Sequence, residues 1–356
     1  MDMKIVALSF KIGKWLSLTP SSFENRVPTT FQKLYLFVTI TFYTVGVMYS
    51  LSERTYLYQT LPKVQACLRL IMDIVLYTHN AHSLITVMVF RRRPWFSLVK
   101  NLTMTCTKIQ KRRHHLFIFV LTQVLFCASC VLVASAWMGI VGIGFLKLFF
   151  VENFQVYSLF FCVTFACIIL TLLLERYRHQ YYLLIERSPR PRKHSIQLDQ
   201  VRRNLFHLKE AVVTFNDIFG WTILLTIFFA GARSLMYLDV MIKNTYHKYE
   251  SHNNIWNSLH FVSNMFMAFM FWVGLLVILF LCDTIQKEFE KILTLTYKLD
   301  TLGILNHDCD IREFRNAIQD YRPSFTAARF FCINRKTIFS VLNSLTTFFI
   351  VMIQFK

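Results

Sequence analysis

Two groups of polar residues sit where the surrounding chain is apolar. Ser340, Asn343, Thr347 and Gln354, with Ile350 between the last two, recur at steps of three, four, three and four inside 337–355, a run with no charged residue. On a helix that spacing puts them on one stripe. A stripe facing lipid would be apolar, so this one faces water or other helices. It either glues the helix into its own bundle through hydrogen bonds or forms the wall of an aqueous pore. Asp73 and Arg233 form the second group. Both are ionisable side chains at membrane depth, the usual mark of a functional site. Arg69, one turn before Asp73, offers a plainer alternative for that residue, a structural ion pair.

Enzyme chemistry finds little support. His79 and His82 are three apart and His114 and His115 are adjacent. One such pair does not make the clustered histidines of a membrane metal centre, so no metal site is expected. No phosphate loop, nucleophile elbow or zinc-protease motif occurs. The nine cysteines are odd in number and irregular in spacing, which suits small hydrophobes better than a zinc cluster or disulfide framework. No enzyme activity and no cofactor are expected.

The elements that carry these residues follow from composition. The chain has 356 residues, 55% of them hydrophobic, with 36 Phe and only 17% charged. Soluble domains carry about 25% charged residues. Apolar runs of membrane-spanning length recur near 34–51, 67–90, 115–136, 156–174, 212–236, 259–282 and 337–355, which predicts an all-α membrane protein of seven spans. The links 52–66, 137–155 and 237–258 read as loops, and 283–335 reads as polar and helical. The short apolar run at 5–10 does not make a cleavable signal peptide.

Lys and Arg give the orientation. The segment before the first span and those after the second, fourth and sixth hold 31 of them, and the alternate segments hold six. Basic loops stay in the cytoplasm, so the N-terminus is inside and the C-terminus outside. The net charge of +19 then belongs to inner loops and not to nucleic-acid binding. A G-protein-coupled receptor would have the opposite orientation. Glu175-Arg176-Tyr177 imitates a signature of that class but follows the fourth span, and reads instead as a snorkelling interfacial cluster.

With that orientation the outer halves of the spans supply candidate pocket residues: Asp73 and Tyr77, Ser129, Tyr157 and Phe160, Phe229 and Arg233, His260 and Asn264. Aromatic walls with a few polar groups are what small-molecule sites use. Few acids among many rings suit bulky, partly apolar compounds of bitter type better than sugars.

The last span also carries a family resemblance. Thr347-Phe348-Phe349-Ile350-Val351-Met352-Ile353-Gln354-Phe355 resembles the Thr-Tyr, five hydrophobics, Gln-Phe ending of the insect gustatory receptors, with Phe348 in place of Tyr. Phe330-Phe331-Cys332-Ile333-Asn334-Arg335 resembles the stretch that precedes it in that family. The resemblance implies a ligand-gated, non-selective cation channel in the plasma membrane of sensory dendrites. It implies a homo- or hetero-tetramer whose subunits each bind a small tastant, with the last helix of each lining one pore. The implied layout is a cytoplasmic segment 1–33, a six-helix ligand-binding bundle 34–282, a cytoplasmic helical anchor 283–335 and a pore helix 336–356. Ser340, Asn343, Thr347, Ile350, Val351, Gln354 and Phe355 would form the pore and gate, with the apolar members closing it by dewetting. Cation preference would come from Asp300, Asp308, Asp310 or Glu313 at its mouths. The competing reading is a seven-helix receptor that signals through a cytoplasmic partner.

Overall fold

The computed structural model describes residues 3–16, 18–19, 29–85, 92–105, 114–186, 194–246, 254–301 and 308–354. Ten helices and one two-stranded hairpin account for nearly all of them: α1 (Met3–Trp15), α2 (Thr30–Thr60), α3 (Lys63–Ile85), α4 (Arg92–Met104), α5 (His114–Val141), α6 (Gly144–Glu186), α7 (His194–Tyr246), α8 (Asn254–Thr301), α9 (Asp308–Gln319), β1 (Thr326–Ala327), β2 (Phe331–Cys332) and α10 (Arg335–Gln354). The all-helical expectation holds apart from that hairpin.

Five helices contain stretches apolar and long enough to cross a membrane: Thr30–Tyr56, Leu116–Gly139, Lys147–Ile185, Leu198–Leu238 and Phe261–Lys298. The expected second span forms as α3, but Arg69, Asp73, His79 and His82 keep it out of that set, and 86–90 lie outside the described residues. The apolar stretch of α10 is short, Phe339–Val351.

Several helices are much longer than a membrane requires. α6, α7 and α8 have 43, 53 and 48 residues. At ~1.5 Å per residue each exceeds the ~30 Å hydrocarbon core at least twofold. Hydropathy sees only the middle of such a rod. The three links read as loops are therefore helical over most of their described residues: α2 continues to Thr60, α5 and α6 meet across a short turn at Gly142, and α7 runs on to Tyr246 with α8 starting at Asn254. Breakers, not polarity, set these ends. Thr29 and Gln32 cap α2 reciprocally at its start, and Pro62 follows its C-cap, Leu61. Gly142 takes a left-handed φ of 75° between α5 and α6.

α6 is the hub. It packs against α2, α3, α5, α7 and α8, and α1 lies against it as well. α1 buries Ile5, Val6 and Phe10, and Phe10 meets Trp95 and Phe165 edge-on at 5.2 and 5.4 Å. α4 lies on α7 through Trp95, Leu98 and Leu102. The Glu175-Arg176-Tyr177 cluster does not snorkel. Arg176 and Tyr177 are buried because α6 continues through them against α8, where Tyr177 meets Phe289 edge-on at 6.3 Å.

Residues 283–301 continue α8 without a break, α9 packs back on α8 and α7, and the chain then turns to strand. Thr326 pairs with Cys332 and Ala327 with Phe331, around Ala328 and Arg329 at left-handed φ of 50° and 64°. Those are strained values for residues with a Cβ. The hairpin is tied to α7. Asn216 donates to the Ser324 carbonyl at 2.7 Å and accepts from the Thr326 N–H at 3.2 Å. Arg329 pairs with Asp217 at 3.1 Å. Gly220 lets the strands come this close, since a Cβ there would sit 2.7 Å from the Ala328 nitrogen.

Candidate functional site

The C-terminal ends of α2, α5 and α7 and the N-terminal ends of α3, α6 and α8 enclose a cavity of about 240 Å³ at one end of the bundle. One wall is a ring stack. Trp137 stands 5.3 Å from Phe149, Phe145 stands 5.1 Å from Phe149, and all three lie within about 30° of parallel. The breaker at Gly142 folds α5 back on α6, which brings Trp137 over Phe145 and Phe149. Offset stacking of this kind adds to the apolar burial.

Against the stack lies a charge network drawn from three helices, most of which also lines the cavity. Arg54 of α2 reaches Asp73 of α3 at 3.4 Å and Glu152 of α6 at 3.0 Å. Arg69 of α3 pairs with the same Glu152, and Tyr58 donates to Asp73. Arg54 also donates its Nε to the Leu148 carbonyl at 2.7 Å and lies over the Phe149 ring at 4.4 Å. Such pairs survive burial only when the remaining donors and acceptors are also met. Burial, and then the Asp73 carboxylate, push the Tyr58 phenol up to about 12, so it stays a neutral donor. The alternative of a direct Arg69–Asp73 pair within α3 gives way to pairs across helices.

Arg233 of α7, also on the cavity wall, donates to the Asn264 amide oxygen of α8 at 3.0 Å. Its guanidinium lies 5.5 and 5.7 Å from the ring centroids of Phe229 and Tyr237. Of the candidate pocket residues, Arg233 and Asn264 are the two whose side chains line the cavity. Asp73 stands behind it in the charge network. Tyr77 shares a hydrogen bond with Thr44 at 3.2 Å, and Ser129 is turned onto its own helix at the Phe126 carbonyl. Phe160 stacks on Phe126 at 3.8 Å, Tyr157 tilts against the same ring at 6.1 Å, and Phe229 meets Phe271 at 5.1 Å. These rings form solid core beside the cavity. The side chain of His260 lies outside the described residues. Arg54, Tyr58 and Glu152 line the cavity although their segments read as loops.

The two histidines of α3 are spent on neighbours. His79 Nε2 lies 3.5 Å from the Ser83 hydroxyl, and the His82 ring tilts against Trp221 at 5.7 Å.

α10 touches its own subunit along one side only, against α7 and α8. Thr337, Val341, Leu345 and Phe349 are half-buried among the described side chains of α10, and a Cβ on Gly231 of α7 would stand 3.2 Å from Leu345 Cδ2. Gly220 faces the hairpin before α10 and Gly231 faces Leu345, so α10 runs parallel to α7 and brings Gln354 toward the cavity end. A helix turns about 100° per residue. The stripe of Ser340, Asn343, Thr347, Ile350 and Gln354 therefore points away from the packed side, and all five are exposed, as is Val351. Thr347 bonds only back to the Asn343 carbonyl, at 3.0 Å. The stripe is thus not glue within its own bundle. Phe355 lies outside the described residues.

Known proteins place this architecture. The fold resembles the insect olfactory receptor OR5 from Machilis hrabei in complex with eugenol, with a TM-score of 0.63 and 12% identity over 99% of each chain. It also resembles a second structure of the insect olfactory receptor OR5 from Machilis hrabei, with a TM-score of 0.60 and 11% identity over the whole of both chains. No curated protein matches the sequence. Identity this low carries the fold alone, but the profile of the 7tm chemosensory receptors matches residues 7–356. With its long apolar helices and that match along nearly its whole length, this chain is a multi-pass membrane protein that belongs to the 7tm chemosensory receptor family.

Proposed function

We propose that the chain is a gustatory receptor subunit that works as a ligand-gated, non-selective cation channel. The observation that carries this is the outward face of α10. Five residues on one stripe, four of them polar, point away from the subunit's own packing. Such a face in a bilayer needs water or other subunits. A ring of four copies, as the family resemblance implies, supplies both. The nine-residue ending that contains Thr347 and Gln354 argues for the gustatory branch.

In this reading α10 is the seventh span and α3 the second. The basic segments lie at the hairpin end, which puts that end in the cytoplasm and opens the cavity outward. A small tastant binds between the ring stack and Arg233. The OR5 structure with eugenol shows that a related fold accepts a small oxygenated aromatic molecule. Ring walls and a volume of about 240 Å³ favour compact, partly apolar compounds of bitter type over sugars. Binding opens the pore only if the open arrangement holds the ligand more tightly. In the closed pore Ile350, Val351 and Phe355 exclude ions by dewetting, and rotation of α10 brings Gln354 to the constriction. The stretch 283–335 then serves as the anchor between subunits. The subunit acts in the plasma membrane of sensory dendrites, as a homo-tetramer or with related subunits. Calcium imaging over a tastant panel, with and without candidate partner subunits, tests the reading. A ligand-evoked calcium rise that needs extracellular calcium is expected, and a rise that persists in calcium-free medium would favour signalling through a cytoplasmic partner.

A further inference from the structure

The charges around the cavity do not balance. Three arginines, Arg54, Arg69 and Arg233, face two carboxylates, Asp73 and Glu152. Both carboxylates are already paired with the other two arginines: Asp73 with Arg54, and with Tyr58, and Glu152 with Arg54 and Arg69. The direct partners of Arg233 are neutral, the Asn264 amide, the Tyr237 hydroxyl and the rings of Phe229 and Tyr237, and Glu152 acts on it only at longer range. Arg233 is 7% exposed, and its Nε has no hydrogen-bond partner. A buried charge with no counter-charge in direct contact is unfavourable in a medium of low dielectric constant. Arg233 is also on the cavity wall, so an occupant can correct the imbalance.

From this we infer that the cavity selects small aromatic acids, whose carboxylate pairs with Arg233 while the ring lies against Trp137, Phe145 and Phe149. The inference rests on reading the cavity as the ligand pocket. Arginine suits the role because its planar fork meets a carboxylate through two parallel hydrogen bonds. The space suits it too, since a cavity of ~150 Å³ accepts benzene and this one adds room for a short acidic arm. Neutral molecules of the same shape fill the apolar part and leave the charge uncompensated. The two acids repel the ligand's carboxylate little, because Arg54 and Arg69 neutralise them.

Three probes that share one ring and differ at one end test this: trans-cinnamate, methyl cinnamate and cinnamyl alcohol. Equilibrium binding is measured on the assembled full-length protein in lipid nanodiscs at neutral pH. Cinnamate is expected to bind about ten-fold more tightly than the alcohol, the gain of a charge-assisted over a neutral hydrogen bond, with the ester between them. Arg233→Lys keeps the acid first, and Arg233→Gln makes acid and alcohol equal. Equal or tighter binding of the alcohol to the wild-type protein overturns the inference, as does an acid preference that survives in Arg233→Gln. If Arg233→Gln fails to assemble, the wild-type series and Arg233→Lys decide alone. Val133→Trp, which fills the cavity, separates the two ideas. Binding that Val133→Trp abolishes keeps the pocket whatever the order of the probes. Binding that ignores Val133→Trp, or no binding of any probe, overturns the pocket as well.

Discussion

Glu152 is the residue on which the cavity's charge network turns. It holds two arginines at once, the buried Arg54 of α2 and the half-buried Arg69 of α3. Glu152→Gln leaves both with less counter-charge, and loss of one partner from a buried pair costs about 3–5 kcal/mol. The variant is expected to lose surface expression and to unfold at a clearly lower temperature in a fluorescence melt. Adding Arg69→Met is expected to restore part of the loss, because a cation is removed with its anion. A melt unchanged by Glu152→Gln would mean that water reaches the network. Sequence reading found Arg233 and Asn264 because a charge and an amide stand out in an apolar run. Glu152, Arg54 and Tyr58 escaped because hydropathy stopped the spans at 51 and restarted them at 156. The available signal was the lack of any breaker between Gly46 and Pro62, and the pair Gly142 and Gly144. These mark helix ends more sharply than polarity does.

At the scale of the element, α7 joins the cavity to the pore helix. Arg233 on the cavity wall is two residues from Gly231, which faces Leu345 of α10. A displacement of α7 at Arg233 therefore reaches α10 through one layer of atoms. Gly231→Val adds bulk at the end of a flexible leucine, so folding is expected to survive while the agonist dose–response curve shifts by about ten-fold or the channel leaks at rest. An unaltered curve at normal surface expression would remove this contact from the coupling. Gly220 is stricter. Its Cβ would collide with backbone, 2.7 Å from the Ala328 nitrogen. Gly220→Ala is expected to destabilise by about 1–3 kcal/mol, the range for overpacking, read as a lower melting temperature and reduced assembly. The helices were legible as periodic apolar runs. The hairpin was not, because two-residue strands have no period to detect and its left-handed turn uses Ala328 and Arg329 where Gly or Asn would signal it.

For the whole molecule, the distribution of Lys and Arg predicts an inner N-terminus and an outer C-terminus. Epitope tags on intact cells are expected to stain at the C-terminus only, and staining at the N-terminus would reverse the cavity and pore assignments together. Cation preference is assigned to acids at the pore mouths. Glu313 is exposed and 3.3 Å from Arg202, while the side chains of Asp300, Asp308 and Asp310 lie outside the described residues. Neutralising the four together is expected to lower the cation-to-anion permeability ratio several-fold, and an unchanged ratio would place selectivity elsewhere. The central claim is that the outward stripe of α10 lines a pore, and whole-cell recording with Gln354→Leu tests it most directly. At equal surface expression a ligand-evoked cation current is expected whose conductance or gating changes in the variant. A current identical to that of the wild-type protein would contradict it.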